Sequence, residues 1–173
     1  MVALRAWAED DVPALVRACS DPLTSRFTSV PSPYTLEDAR LFVAAGRSET
    51  TLPLAVVTHG DGRDVVGAVG LHAVDPVGRR AEVGYWTAPW ARRRGFASRA
   101  LALLSGWAVA EMRLERLELF AEPSNLASHR VAEIAGYVRG DLVRGGITLR
   151  GRRRDVVRFV HEPRVVDRRD PDG

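Results

Sequence analysis

The segment Glu82–Trp107, EVGYWTAPWARRRGFASRALALLSGW, constrains the fold more than any other. Glu82-Val83-Gly84-Tyr85-Trp86 is rich in β-branched and aromatic types and stops before Pro89, which cannot donate to a sheet ladder, so it predicts a strand. After Gly95 the period changes. Phe96, Ala97, Ala100, Leu101, Leu104, Trp107 and Ala108 recur at helical spacing, which predicts a helix opening at Gly95. The first N–H groups of that helix lack intrahelical partners. With the positive end of the helix dipole behind them, they form an anion site once the preceding chain is bent into a concave turn. Gly95 allows close backbone approach, Ala97 does not screen the amides, and Arg92, Arg93 and Arg94 add attraction, so a phosphate suits the site. The plainer reading of Arg-Arg-Arg-Gly by itself is a solvated basic loop.

Arg92-x-x-Gly95-x-Ala97 resembles the (Q/R)-x-x-G-x-(G/A) acyl-CoA pyrophosphate loop of the GNAT superfamily of N-acetyltransferases. Together with Glu82–Trp86, Asn125-x-x-Ser128 and Gly136-Tyr137, it is similar to the RimJ/RimL-type branch, which acetylates amines using acetyl-CoA; the likeness covers about residues 2–162. Arg99 stands where that branch commonly has an acidic residue, and Met112-Arg113 where a helix-ending glycine is usual. The resemblance implies an α+β (α/β/α) fold, a mixed, mostly antiparallel twisted sheet flanked by helices, with a splayed central strand pair. A pantetheine arm would then enter the gap between Glu82–Trp86 and Leu117–Phe120 and pair with exposed backbone as an added peptide does. The cosubstrate residues implied are Gly84, Tyr85, Trp86, Arg92, Arg93, Arg94, Gly95, Phe96, Ala97, Ser98, Asn125 and Ser128. The Gly84–Trp86 amides would lie near the thioester carbonyl, where they could stabilise an oxyanion.

The attacking amine must be neutral. An α-amino group with a pKa of about 7.7–8.0 is already partly so at pH 7, whereas a lysine near 10.4 is not. Glu82 alternates onto the face of Gly84 and Trp86 and is the candidate general base, directly or through a water; a surface carboxylate paired with Arg80 is the bland alternative. By resemblance, Ser128 is the hydroxyl facing the CoA sulfur, where hydrogen bonding would stabilise the departing thiolate. Asn125 also suits a helix N-cap. His72 and His129 lack a nucleophile or carboxylate partner pattern and read as surface or core residues. No metal-ligand spacing is present, and no metal is expected.

Elsewhere, Val2–Trp7 reads as a strand and Glu9–Ala18 as a helix with Pro13 in its first turn. Pro22–Pro33, rich in Pro, Ser and Thr, reads as a loop lying over the acceptor site, and Thr35-Leu36-Glu37-Asp38 opens another helix through a capping-box pattern. Leu54–Thr58 and Asp64–Leu71, joined by Gly60-Asp61-Gly62, form a hairpin, and Pro76-Val77-Gly78 turns the chain into the central strand, giving an antiparallel meander. Leu114–Phe120 then predicts a strand, Asn125–Ala135 a helix ended by Gly136, Tyr137–Val143 a strand, and Asp155–Val160 the strand that closes the sheet at its edge.

The sequence is read as one domain over residues 1–162 and a disordered charged tail over 163–173. All 25 basic residues are arginine, scattered among 22 acidic ones for a net charge of +3, which argues against a nucleic-acid stripe. The lone Cys19 rules out an intrachain disulfide and reads as a small core residue. No signal-like or membrane-spanning apolar run occurs, so no membrane partner and a cytoplasmic location are expected. The expected function is acetyl transfer from acetyl-CoA to a primary amine, foremost a protein N-terminal α-amino group, by direct attack in a ternary complex. Alternatives are a small-molecule amine acceptor, such as a polyamine or aminoglycoside, or a catalytically silent acyl-CoA sensor. A homodimer is compatible with all of these readings.

Overall fold

The computed structural model describes residues 1–58 and 64–163. Seven strands form one sheet: β1 (Val2–Arg5), β2 (Leu52–Thr58), β3 (Val65–Asp75), β4 (Arg80–Thr87), β5 (Arg116–Ala121), β6 (Val138–Leu149) and β7 (Arg152–His161). Their order is β1-β2-β3-β4-β5-β7-β6, antiparallel throughout except for the parallel pair β4–β5. The helices are α1 (Val12–Cys19), α2 (Pro22–Phe27), α3 (Leu36–Ala45), α4 (Phe96–Glu111) and α5 (Leu126–Ile134).

The meander β1 to β4 follows the sequence reading, with Asp75 Oδ1 accepting from Gly78 N at 2.8 Å in the turn before β4. The long helical crossover that a parallel neighbour requires is α4, so β5 can lie beside β4. Gly60-Asp61-Gly62 and residues 164–173 of the expected tail lie outside the described residues.

Side-chain alternation along β4 separates two cores. Ala81, Val83 and Tyr85 face the larger one, where Leu101 and Leu104 of α4 meet Val69, Leu71, Leu117, Leu119 and Phe159. Trp86, on the other face, packs with Val12, Leu15 and Cys19 of α1 and Ala39 of α3.

Three expectations need correction. Pro22–Pro33 is not loop throughout, because its first six residues are α2. Asp21 caps that helix by accepting from Thr24 N at 2.8 Å, and Pro22, with its preset φ and missing N–H, sits comfortably in the first turn. The closing strands are longer than expected, running to Leu149 and starting at Arg152, and β7 does not take the edge but inserts between β5 and β6. At the N-terminus the first strand ends at Arg5, and a 3-10 turn, Glu9–Asp11, precedes α1.

Candidate active site

The site begins where β4 and β5 part. They pair only at Arg80↔Arg116, Ala81↔Leu117 and Glu82↔Glu118. Beyond Glu82, β4 stays with β3 as far as Thr87↔Gly67, and β5 stays with β7 as far as Ala121↔Val157, so the two diverge with their respective neighbours. Gly67 lets β3 hold β4 closely, since a Cβ there would lie 2.5 Å from Trp86 O. Past the strand end, Ala88 N donates to Val66 O at 3.0 Å and Trp90 Nε1 to Val65 O at 3.1 Å, which keeps this end of β4 on β3. The splayed central pair expected from the sequence is therefore present.

At the far end of the gap the chain turns into α4. Arg93 (φ 62°) and Gly95 (φ 70°) both occupy the left-handed region, and no side chain caps the helix. The first intrahelical bond runs from Arg99 N to Gly95 O at 3.4 Å, so the amides of Phe96, Ala97 and Ser98 precede it and remain available at the positive end of the dipole. The three arginines do different work. Arg94 lies over the Phe96 ring, 4.9 Å from its centroid, while Arg93 is exposed. Arg92 instead pairs with Asp21 and donates to Thr24 Oγ1 at 3.1 Å, tying the turn to the start of α2. Arg99, at the position where the related branch is commonly acidic, donates to Arg94 O at 2.7 Å and braces the turn.

Tyr85 and Ser128 meet on the α5 side of the sheet, where their hydroxyls are 2.7 Å apart. Burial pushes the Tyr85 phenol up to about 12, against the opposing effect of the Ser128 hydrogen bond, so both hydroxyls remain protonated near neutrality and can donate. Asn125 caps α5 by accepting from Ser128 N at 3.2 Å, which fixes the first turn carrying that serine. The Tyr85 hydroxyl as the partner of Ser128 was not anticipated.

The opposite face carries Glu82, Gly84 and Trp86. Glu82 does not pair with Arg80, which binds Asp75 at 3.2 Å instead. Its cross-strand partner is His72, whose Nε2 would lie 3.1 Å from a Cβ on Gly84, placing the imidazole against the β4 backbone just where the gap opens. Desolvation lowers the His72 pKa despite the ring's remaining solvent contact, with the Glu82 charge opposing, so the imidazole is neutral at pH 7. Only the strand register reveals this neighbourhood. His129, by contrast, is a core residue, 5% exposed, with Nε2 3.1 Å from Glu122 O and its ring tilted against Phe159. Across the gap Glu118 is held by Arg116 at 3.1 Å and Arg158 at 3.8 Å.

Trp86 stacks on Trp7 at 6.2 Å between centroids and forms one wall of a cavity of about 290 Å³ beneath residues 29–31. Arg150, at the tip of the β6–β7 hairpin, donates to Val30 O at 2.9 Å, fixing the outer wall. Cys19 also lines this cavity, but burial pushes its thiol up to about 12, so it is no nucleophile near neutral pH. Among the described residues no cluster of three or more His, Cys, Asp or Glu could hold a metal, and no helix is long and apolar enough to cross a membrane.

Comparison with known proteins agrees with this geometry. The Acetyltransferase (GNAT) domain profile matches residues 2–138. YdaF of Bacillus subtilis strain 168 is 32% identical over 93 residues, a match that spans 54% of this chain and about half, 51%, of that protein. Mycobacterium smegmatis RimJ in complex with CoA-disulfide superposes with a TM-score of 0.83 at 20% identity, covering 96% of this chain and 84% of that one. Spermidine N-acetyltransferase from Vibrio cholerae, in complex with CoA and spermine, superposes with a TM-score of 0.79 at 17% identity over 93% and 95% of the two chains. With the profile covering most of its length and the parted strands and uncapped arginine-flanked helix in place, the chain belongs to the GNAT acetyltransferase family and is an acetyl-CoA-dependent N-acetyltransferase.

Proposed function

We propose that the chain acetylates an α-amino group, foremost that of a protein N-terminus, with the two substrates meeting through the β4–β5 gap from opposite faces of the sheet. One observation carries this reading: along β4, Tyr85 faces the Ser128 hydroxyl on the α5 side, while Glu82, Gly84 and Trp86 face the α1–α3 side.

On the first side, the free amides of Phe96, Ala97 and Ser98, flanked by Arg93 and Arg94, suit a pyrophosphate. Arg92 acts there by holding the turn from Asp21. The exposed inner edges of β4 and β5 suit the amides of the pantetheine arm. Ser128 and Tyr85 supply protonated hydroxyls for the leaving sulfur.

On the second side, Glu82 accepts the proton that the attacking amine loses, directly or through a water, beside the neutral His72 ring. The neutral nitrogen then attacks the thioester carbon, the C–N bond forms, the C–S bond breaks, and the sulfur leaves as a thiolate stabilised by hydrogen bonding, the second proton shed by the nitrogen passing through water to that thiolate to give the thiol. Neutralising an α-amine at pH 7 costs about 1 kcal/mol, against about 4–5 kcal/mol for a lysine, so an exposed carboxylate is an adequate base for the former.

Thiol release from acetyl-CoA, measured with matched peptides carrying either a free α-amine or only a lysine amine, tests the assignment. The expected result is turnover on the α-amine, with a mass gain of one acetyl group at the N-terminus. Acetylation confined to the lysine peptide or to polyamines would refute it.

A further inference from the structure

The cavity beside Trp86 bears on which amine is accepted. It lies on the Glu82 face of β4, and Trp86 is two residues beyond Gly84, roughly 7 Å along the strand. An acceptor whose nitrogen reaches the gap at Gly84 therefore has this cavity within about one side chain's length. Trp86, Tyr34 and Phe42 supply aromatic walls, and Leu15, Val30 and Leu41 supply aliphatic ones. Its volume of about 290 Å³ corresponds to roughly ten water molecules, ample for one large side chain.

No arginine or histidine lines it, and its one carboxylate, Asp38, is already engaged by Thr35 N at 2.8 Å and Thr35 Oγ1 at 2.6 Å in the cap of α3. A second ammonium, as on a polyamine, would lose its hydration there against a single carboxylate, which stays ionised but already accepts two hydrogen bonds. Leu41 and Phe42 remain 62% and 37% exposed at the rim, an unusual outlay of apolar surface next to a reactive centre. The walls are also anchored, with α3 capped by Thr35 and Val30 held by Arg150.

We propose that this cavity receives an apolar group, aromatic by preference, carried a few bonds from the acceptor amine, so that the enzyme selects hydrophobic α-amines over small polar or polycationic ones. The inference rests on the amine-acetylation reading above. The required chemistry is shared by the side chain of a Phe- or Leu-type N-terminal residue and by the ring of an arylalkylamine.

The test measures kcat/KM at saturating acetyl-CoA for tetrapeptides differing only in their first residue (Phe, Leu, Ser, Asp), for phenethylamine and for spermidine. Phe and Leu peptides are expected to exceed Ser and Asp peptides by at least tenfold, with spermidine lowest. Phenethylamine matching the Phe peptide would assign the selection to the ring alone; a large excess for the peptide would assign it to a protein N-terminus, and either supports the cavity's role. Leu41→Glu, at an exposed position, should raise KM for the Phe peptide about tenfold while acetyl-CoA KM stays within twofold. Equal kcat/KM across the four peptides overturns the proposal and leaves the transfer reading intact. If no amine turns over, calorimetry of N-acetyl-Phe and N-acetyl-Ser peptides on the CoA-loaded protein separates the two ideas: a preference for Phe keeps the cavity assignment and sinks the transfer reading, and no preference sinks the cavity assignment.

Discussion

Removing the Arg92 guanidinium should weaken the fold more than it weakens CoA binding. Arg92 and Asp21 are 29% and 19% exposed, so solvent screens their pairing only in part. A charge-assisted hydrogen-bonded pair of this kind contributes about 1.5–3 kcal/mol, and Asp21 additionally caps α2, worth about 1 kcal/mol. Arg92→Ala should therefore cost about 1.5–3 kcal/mol and Asp21→Ala about 1 kcal/mol more, while the double variant costs little beyond Asp21→Ala, leaving a coupling near the value of the pair. The Arg92 hydrogen bond, followed by smaller contributions from Thr24, lowers the Asp21 pKa. That stability is present above the unfolded carboxylate pKa of about 3.9 and is lost as pH falls through the lower folded value, so the Arg92→Ala penalty should fade in acid. Urea unfolding at pH 7 and below pH 4 measures these differences, and calorimetry with CoA measures the ligand side. If Arg92→Ala weakens CoA tenfold or more while Asp21→Ala does not, the guanidinium serves the phosphate directly and the tether is secondary.

Gly95→Val, which forces a side chain onto a φ of 70° within 3.3 Å of the Arg99 guanidinium, and Ala97→Glu, which sets a carboxylate at the free amides, should each weaken CoA binding far more than Ser128→Ala; calorimetry on the three decides. Asp11, 4% exposed, is raised in pKa by burial but lowered further by the hydrogen bonds from Arg5, itself 33% exposed, and from Ala8 N, so Asp11→Ala should cost about 1.5–3 kcal/mol at pH 7, and the pH-dependent part of that contribution should start to fall in wild type at about pH 4 and be gone only below the lowered folded value. Glu82→Gln should lower the rate most when the acceptor is largely protonated, with the deficit shrinking as pH rises; a deficit independent of pH and of acceptor pKa would remove Glu82 from proton transfer.

The strand, turn and helix around the gap were legible because each is written in local terms: β-branched and aromatic residues to Trp86, left-handed Gly95, and helical period from Phe96. The caps at Thr35 and Asn125 were legible for the same reason. What stayed hidden was non-local. Arg92 meets Asp21 across 71 positions of sequence, so three consecutive arginines looked equivalent until the fold placed one of them. His72 reads as an isolated histidine, and only register sets it opposite Glu82. The helix α2 was lost among prolines although Asp21-Pro22 is itself an N-terminal signal. The far end of β6 does alternate, with Val143, Gly145, Ile147 and Leu149 less exposed than Arg144, Gly146 and Thr148, but Gly145-Gly146 breaks the apolar pattern there, and residues 152–155 of β7 are all exposed and mark no face.

Direct transfer between substrates held on opposite faces of one gap is the central claim, and initial rates of thiol release with acetyl-CoA and a Phe-initiated peptide varied together test it most directly. Cys19 is the chain's one cysteine, and its buried thiol with a pKa of about 12 is unfit to carry an acetyl group. In direct transfer both substrates are bound at once, so the double-reciprocal lines should intersect. Parallel lines, with an acetylated protein that can be isolated after incubation with acetyl-CoA alone, would contradict the account.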